Sequence, residues 1–133
     1  MKLSPWIKIL IALFCFAIAI IGFMIKLPSS FRHYDKELHA LFYFLAAAFL
    51  NILFAKRNVL IHIVIFVFLY LFGMAIECSQ EYSNKVFHNR IHGRYDVEDV
   101  AANLKGLIIF SLIWLVYAVI YSIYKKARPD KVN

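Results

Sequence analysis

Asp35, His39 and Tyr43 recur at intervals of four residues, so on a helix a carboxylate, an imidazole and a phenol stack along one face. Such a face can hold a proton, share a cation or grip a polar ligand. Lys36 adds a positive charge at its start. Two further groups lie in the long polar interval from Glu77 to Gly106. Glu77 follows Gly73 by four residues, with Gln80 within the next turn. Beyond the loop residues Arg90 and Arg94, Asp96 has the position of a helix N-cap, Asp99 falls in the first turn where the helix dipole favours an acid, and Asn103 comes one turn later. Val97, Val100, Ala101 and Leu104 form an apolar stripe opposite Glu98 and Lys105.

These residue types support three chemistries. Arg94 can grip a phosphate bidentately, Lys36 and Arg90 supply point charges, and His39 can donate a hydrogen bond or move a proton, which together would recognise a lipid-linked phosphate or a similar amphiphile. Alternatively Asp35, His39, Glu77 and Asp99 are a general acid–base or metal-dependent hydrolytic set. A third reading makes Arg94, Glu77 and Asp99 an ion-pair network that locks helix ends, with Gln80 and Asn103 completing its hydrogen bonds. No strong metal-ligand signature accompanies the second reading, and no metal or cofactor is assigned. His88 and His92 are four apart, but Gly93 interrupts their segment, so they read as a solvated or headgroup-facing pair. Ser79, Ser83 and Cys78 sit in no nucleophile motif, and an enzymatic role is the weaker expectation.

The elements that must position these groups are membrane spans. Of 133 residues, 63% are apolar and 17% aromatic, far above soluble composition. Trp6 to Ile25 is apolar except for Lys8, follows Pro5 and ends before Pro28, which reads as an uncleaved transmembrane anchor. Leu38 to Ala55 and Val59 to Ile76 are each long enough to cross, about 27 Å as helices, and the short turn Lys56-Arg57-Asn58 makes them an antiparallel hairpin. Leu107 to Tyr124 is the fourth run. Continued back to Val97 it would exceed the roughly 30 Å hydrocarbon core, so its first turns project from the membrane or it bends near Gly106. His62 reads as an interfacial or bundle-facing histidine, Ala46 to Ala48 as a site of close helix approach, and Trp6, Trp114, Tyr117, Tyr121 and Tyr124 as interface anchors and packing groups.

The expected fold is therefore all-α, a single domain over residues 1–133. It is a bundle of four transmembrane helices with an outward-facing polar loop and helix entry between helices 3 and 4. Net charge is +7, but the basic residues flank apolar runs, where they set topology and meet anionic lipid, so nucleic acid is not an expected partner. The N-terminus, the 56–58 turn and the C-terminal tail share one side and carry eight Lys and Arg against Asp130 alone, whereas seven face seven acids on the other. This places both termini in the cytoplasm and the polar motif outside a cell membrane. Cys15 and Cys78 fall at different depths and are not expected to pair.

The spaced residues resemble the VanZ-like family of bacterial membrane proteins. The elements are Asp35-Lys36-x-x-His39-x-x-x-Tyr43, Gly73-x-x-x-Glu77-x-x-Gln80, and Arg94, Asp99, Asn103 and Gly106 before the last span. Their order and spacing agree from Asp35 onward, while Phe110 stands where many members carry a second glycine. The resemblance implies a small helical bundle in the bacterial cytoplasmic membrane with its polar motif outside, membrane lipids or lipid-linked cell-wall intermediates as partners, and a link to teicoplanin resistance by analogy with the family's namesake. A four-helix chain encloses little volume, so a complete transport path would call for a homo-oligomer. The orientation is checked by a membrane-impermeant thiol reagent on intact cells. Cys78 is expected to label without permeabilisation, and labelling only after permeabilisation reverses the assignment.

Overall fold

The computed structural model describes residues 3–25, 33–89 and 95–128, and every regular element among them is helical. Helix α1 spans Pro5–Met24, α2 Asp35–Leu50, α3 Val59–Val86 and α4 Val97–Ala127; α2 continues as a π-helical turn over Asn51–Ala55. By length and composition all four are long and apolar enough to cross a membrane. Arg90 and Arg94 lie outside the described residues, as does His92.

Two boundaries differ from expectation, each because a helix continues through polar sequence, and of the two alternatives for the last helix the unbroken one holds. Helix α2 begins at Asp35 rather than Leu38, with Asp35 and Glu37 in its first turn, where the exposed N–H groups favour acids. Helix α3 runs ten residues past Ile76. Helix α4 is continuous from Val97 through Gly106, with 31 residues and a length of about 46 Å. Asp96 caps it as expected, its side chain accepting from Glu98 N at 2.8 Å. The polar interval is therefore mostly helix, and the candidate site residues in it stand on regular backbone.

The hairpin turn departs from a simple loop. Lys56 N donates to Asn51 O at 2.9 Å, five residues back, and Lys56 then adopts φ 50° to redirect the chain. Asn58 caps α3 through its side-chain oxygen, which accepts from Ile61 N at 3.2 Å.

Packing is centred on α2 against α4, with α3 closing the third side. Their shared core holds Tyr43, Ala47, Leu69, Leu107, Phe110 and Trp114. Phe110 is edge-on to Phe44 at 5.7 Å, so at that level the gap is filled by rings. Helix α1 is peripheral, contributes no buried residue and packs mainly on α3. It is tied at both ends. Lys8 Nζ donates to Leu53 O in the π-helical turn at 2.8 Å, and Gln80 Nε2 donates to Phe23 O at 2.9 Å, a carbonyl in the last turn that the helix itself leaves free.

The tightest approach is between α2 and α4 at Gly106. A methyl group there would lie 2.1 Å from the Ala40 carbonyl oxygen and 2.9 Å from its carbon, atoms of rigid backbone. At Gly73 the same group would meet Asn103 Nδ2 at 2.9 Å and the Tyr43 hydroxyl at 3.0 Å, both side-chain ends, and at Gly22 nothing within 4 Å. Thermal unfolding in detergent should rank the alanine variants accordingly. Gly106→Ala loses about 3 kcal/mol, the upper end of ordinary overpacking costs. Gly73→Ala loses less, and Gly22→Ala is unchanged.

Candidate functional site

At the end of the bundle opposite the 56–58 turn, α2, α3 and α4 bring most of the expected site residues together. Lys36 Nζ lies 2.6 Å from Asp96 Oδ2 and 2.6 Å from Asp99 Oδ1, with Glu98 Oε2 at 3.6 Å. One turn deeper, His39 Nδ1 and Asn103 Oδ1 are 2.9 Å apart. An amide oxygen only accepts, so Nδ1 carries the proton and donates. The other ring nitrogen, Nε2, faces Asp35 Oδ1 at 3.9 Å and Asp99 Oδ2 at 4.0 Å. His39, Asp99 and Asn103 are buried, whereas Asp35 and Lys36 remain partly accessible.

Local sequence explains the alignment. Lys36, His39, Ala40 and Tyr43 share one face of α2, and Asp99, Asn103 and Gly106 share one face of α4. The glycine lets the two backbones approach closely enough for short polar side chains above it to touch. The Lys36 ammonium, the largest influence on Asp96, holds that carboxyl below its ordinary value; partial burial opposes it and the Glu98 N–H assists.

Helix α3 contributes Glu77, only 1% exposed. Its Oε2 accepts from Asp96 N at 3.3 Å, while Oε1 has no hydrogen-bond partner among the described residues. A buried carboxylate oxygen without a donor costs on the order of 1–3 kcal/mol or more, so this position calls for positive charge or a donor. Tyr43 is 1% exposed and forms the floor of the cluster beside Gly73. Gln80 stands apart from the hydrogen bonds of the cluster, since its amide is spent on α1. Among the described residues the carboxylates Asp35, Glu77, Asp96 and Asp99 face a single lysine, so this part of the site is acid-rich.

Sequence reasoning missed two participants. Asp96 is both cap and ion-pair partner, a double role that a capping position alone does not announce. Phe23 of α1 lies over His39 at 5.2 Å and meets Phe42 edge-on at 4.8 Å, covering the imidazole from the α1 side. Nothing in the spacing of α1 singles Phe23 out from its other apolar residues.

A second polar cluster, also missed, lies toward the other end. Asn51 Nδ2 donates to Ala47 O at 2.8 Å, which turns Asn51 Oδ1 toward His62 Nδ1, 2.8 Å away. His62 Nε2 is 3.2 Å from Ser111 Oγ, and its ring stacks on Trp114 at 4.1 Å and 4°. The signal for Asn51 was present, because the four-residue ladder of Asp35, His39 and Tyr43 continues through Ala47 to Asn51. Every polar atom of this group is paired inside the bundle.

Neither family models, curated proteins nor solved structures yield a match to this chain.

The second cluster should behave as a stability element. Asn51→Leu leaves the His62 Nδ1–H buried without an acceptor and should cost about 1–3 kcal/mol. Asn51→Leu combined with His62→Leu removes both partners and should recover part of that loss, measured by unfolding in detergent as a double-mutant cycle.

Proposed function

We propose that this chain is a small integral membrane protein of the bacterial cell envelope that recognises the polar headgroup of an amphiphile, a lipid-linked phosphate or a relative of it. Recognition falls at the membrane–water boundary occupied by the Lys36 cluster. The observation that carries the reading is the placement of Lys36. Its ammonium is fixed between Asp96 and Asp99 at 2.6 Å from each, yet its side chain stays 37% exposed. It is thus an oriented cation at the accessible edge of a buried polar network.

The resemblance of Asp35, Lys36, His39, Tyr43, Glu77, Asp99 and Asn103 to the VanZ-like pattern supports the same reading, as does the charge asymmetry that puts both termini in the cytoplasm and this cluster outside. In that orientation the headgroup meets Lys36 first. His39 and Asn103 lie one turn deeper, and in sequence Arg94 stands two residues before the Asp96 cap. Phosphate oxygens would compete with the two aspartates for the lysine. Affinity therefore depends on how far other positive charge offsets the acids.

The rival reading, a network that only locks helices, is favoured by the closure of Lys36 on two aspartates and of His39 on Asn103. Photo-crosslinking in vesicles containing a polyprenyl phosphate analogue separates the two. Wild-type protein is expected to crosslink, and Arg94→Lys to retain its unfolding temperature while losing roughly tenfold in yield, whereas Lys36→Ala should lose both yield and stability, because Asp96 and Asp99 lose their partner. Unchanged crosslinking with lowered unfolding temperature establishes the locking role instead.

A further inference from the structure

We propose that Asp35, His39 and Asp99 form a divalent-cation site at this end of the bundle, with His39 Nε2 and one oxygen from each carboxylate as ligands. The three donor atoms lie within 4.8 Å of one another, and His39 and Asp99 are buried. Proximity alone would be weak support. The contact of His39 Nδ1 with Asn103, which orients the ring, adds to it.

Because Asn103 Oδ1 can only accept, the proton of a neutral His39 resides on Nδ1. Nε2 then presents a bare lone pair to Asp35 Oδ1 at 3.9 Å and Asp99 Oδ2 at 4.0 Å. Around a neutral His39 these three atoms point at one small volume, where a positive charge, either a proton on Nε2 or a bound cation, would sit between them. A histidine ligand whose second nitrogen donates to a fixed carbonyl is also the usual outer-shell arrangement of a metal site. Here Asn103, 2% exposed, supplies that carbonyl.

The remaining groups agree. Lys36 takes Asp99 Oδ1, which fixes the carboxylate and leaves Oδ2 turned toward His39. Glu77 is buried, and its Oε1 has no hydrogen-bond partner among the described residues. Ligands at about 2.0–2.2 Å from a tetrahedral ion lie about 3.3 Å apart, so the separations of 3.9 and 4.0 Å from His39 Nε2 must shrink by roughly 0.6–0.7 Å, and that between the carboxylate oxygens, at most 4.8 Å, by up to about 1.5 Å. Asp35, with its side chain 32% exposed at the start of α2, can supply its own share of that movement, and the rest falls to His39 and Asp99.

One imidazole and two carboxylates suit zinc, manganese or ferrous ion better than calcium or a soft monovalent metal. Three protein ligands leave at least one position open to water or to a phosphate oxygen. An ion there would let an acid-rich pocket accept an anionic headgroup. That last step rests on the headgroup reading, whereas occupancy by the ion does not.

Full-length protein in detergent, stripped with a chelator and equilibrated with zinc or manganese without added lipid, is expected to hold about one ion per chain. Asp35→Asn, at a partly exposed position, and His39→Ala should each weaken binding at least tenfold, in line with the roughly 10–100-fold that even an outer-shell partner contributes. Cobalt substitution should give visible absorption bands that Asp35→Asn abolishes while the unfolding temperature stays put. Wild-type protein that binds no ion at tens of micromolar, or that binds equally well after both substitutions, overturns the site. Metal binding without lipid crosslinking would defeat the headgroup reading alone, and crosslinking without metal would defeat this one alone.

Discussion

The approach of α2 to α4 at Ala40 and Gly106 is the constraint on which the rest of the structure depends. With no room for a Cβ at Gly106, the two backbones come within van der Waals reach, and every interhelical polar contact above that point follows. His39 reaches Asn103 and Lys36 reaches Asp99 across this narrow gap. Small residues serve this purpose in membranes because lipid offers apolar helices no hydrophobic reason to associate. Close packing and internal hydrogen bonds supply the attraction instead.

The same principle inverts the usual reading of amphipathic sequence. On α4 the apolar stripe through Val97, Val100, Ala101 and Leu104 is not the packing face. Val97 and Ala101 are exposed, and the buried positions are Asp99, Ala102, Asn103, Gly106 and Leu107. The outside of a membrane bundle tolerates apolar residues, while polar groups near the membrane are best satisfied by partners inside it. The spacing of Asp99, Asn103 and Gly106 was the informative pattern because it contains what lipid cannot satisfy.

That distinction explains what could be read from the sequence. Four helices, the cap at Asp96 and the shared face of Asp35, His39 and Tyr43 were legible because they depend on local periodicity and hydropathy. The position of α1 was not, since all its faces are apolar and only Lys8, through Leu53 O, hints at where it docks. The π-helical turn at Asn51–Ala55 was also hidden. It depends on a hydrogen bond shifted by one residue, and no residue type encodes that shift. Gln80 carried a site-like spacing yet serves to fasten Phe23 O, a role visible only once α1 is in place.

The two histidines of the bundle interior sharpen the difference between a polar group that holds a fold together and one that waits for something. Both donate from Nδ1 to an asparagine oxygen, His39 to Asn103 and His62 to Asn51, so both have the same tautomer when neutral. They differ in what Nε2 meets. For His62 it is the Ser111 hydroxyl, a donor, beside a stacked Trp114, and the circuit is closed without any further group. For His39 it is a pair of carboxylate oxygens at 3.9 and 4.0 Å, beyond hydrogen-bonding distance. A shared local arrangement is complete at one depth and incomplete at the other. The incomplete one lies where Lys36 and Asp35 open toward water. That is where the interior histidine lacks a second hydrogen-bond partner among the described residues.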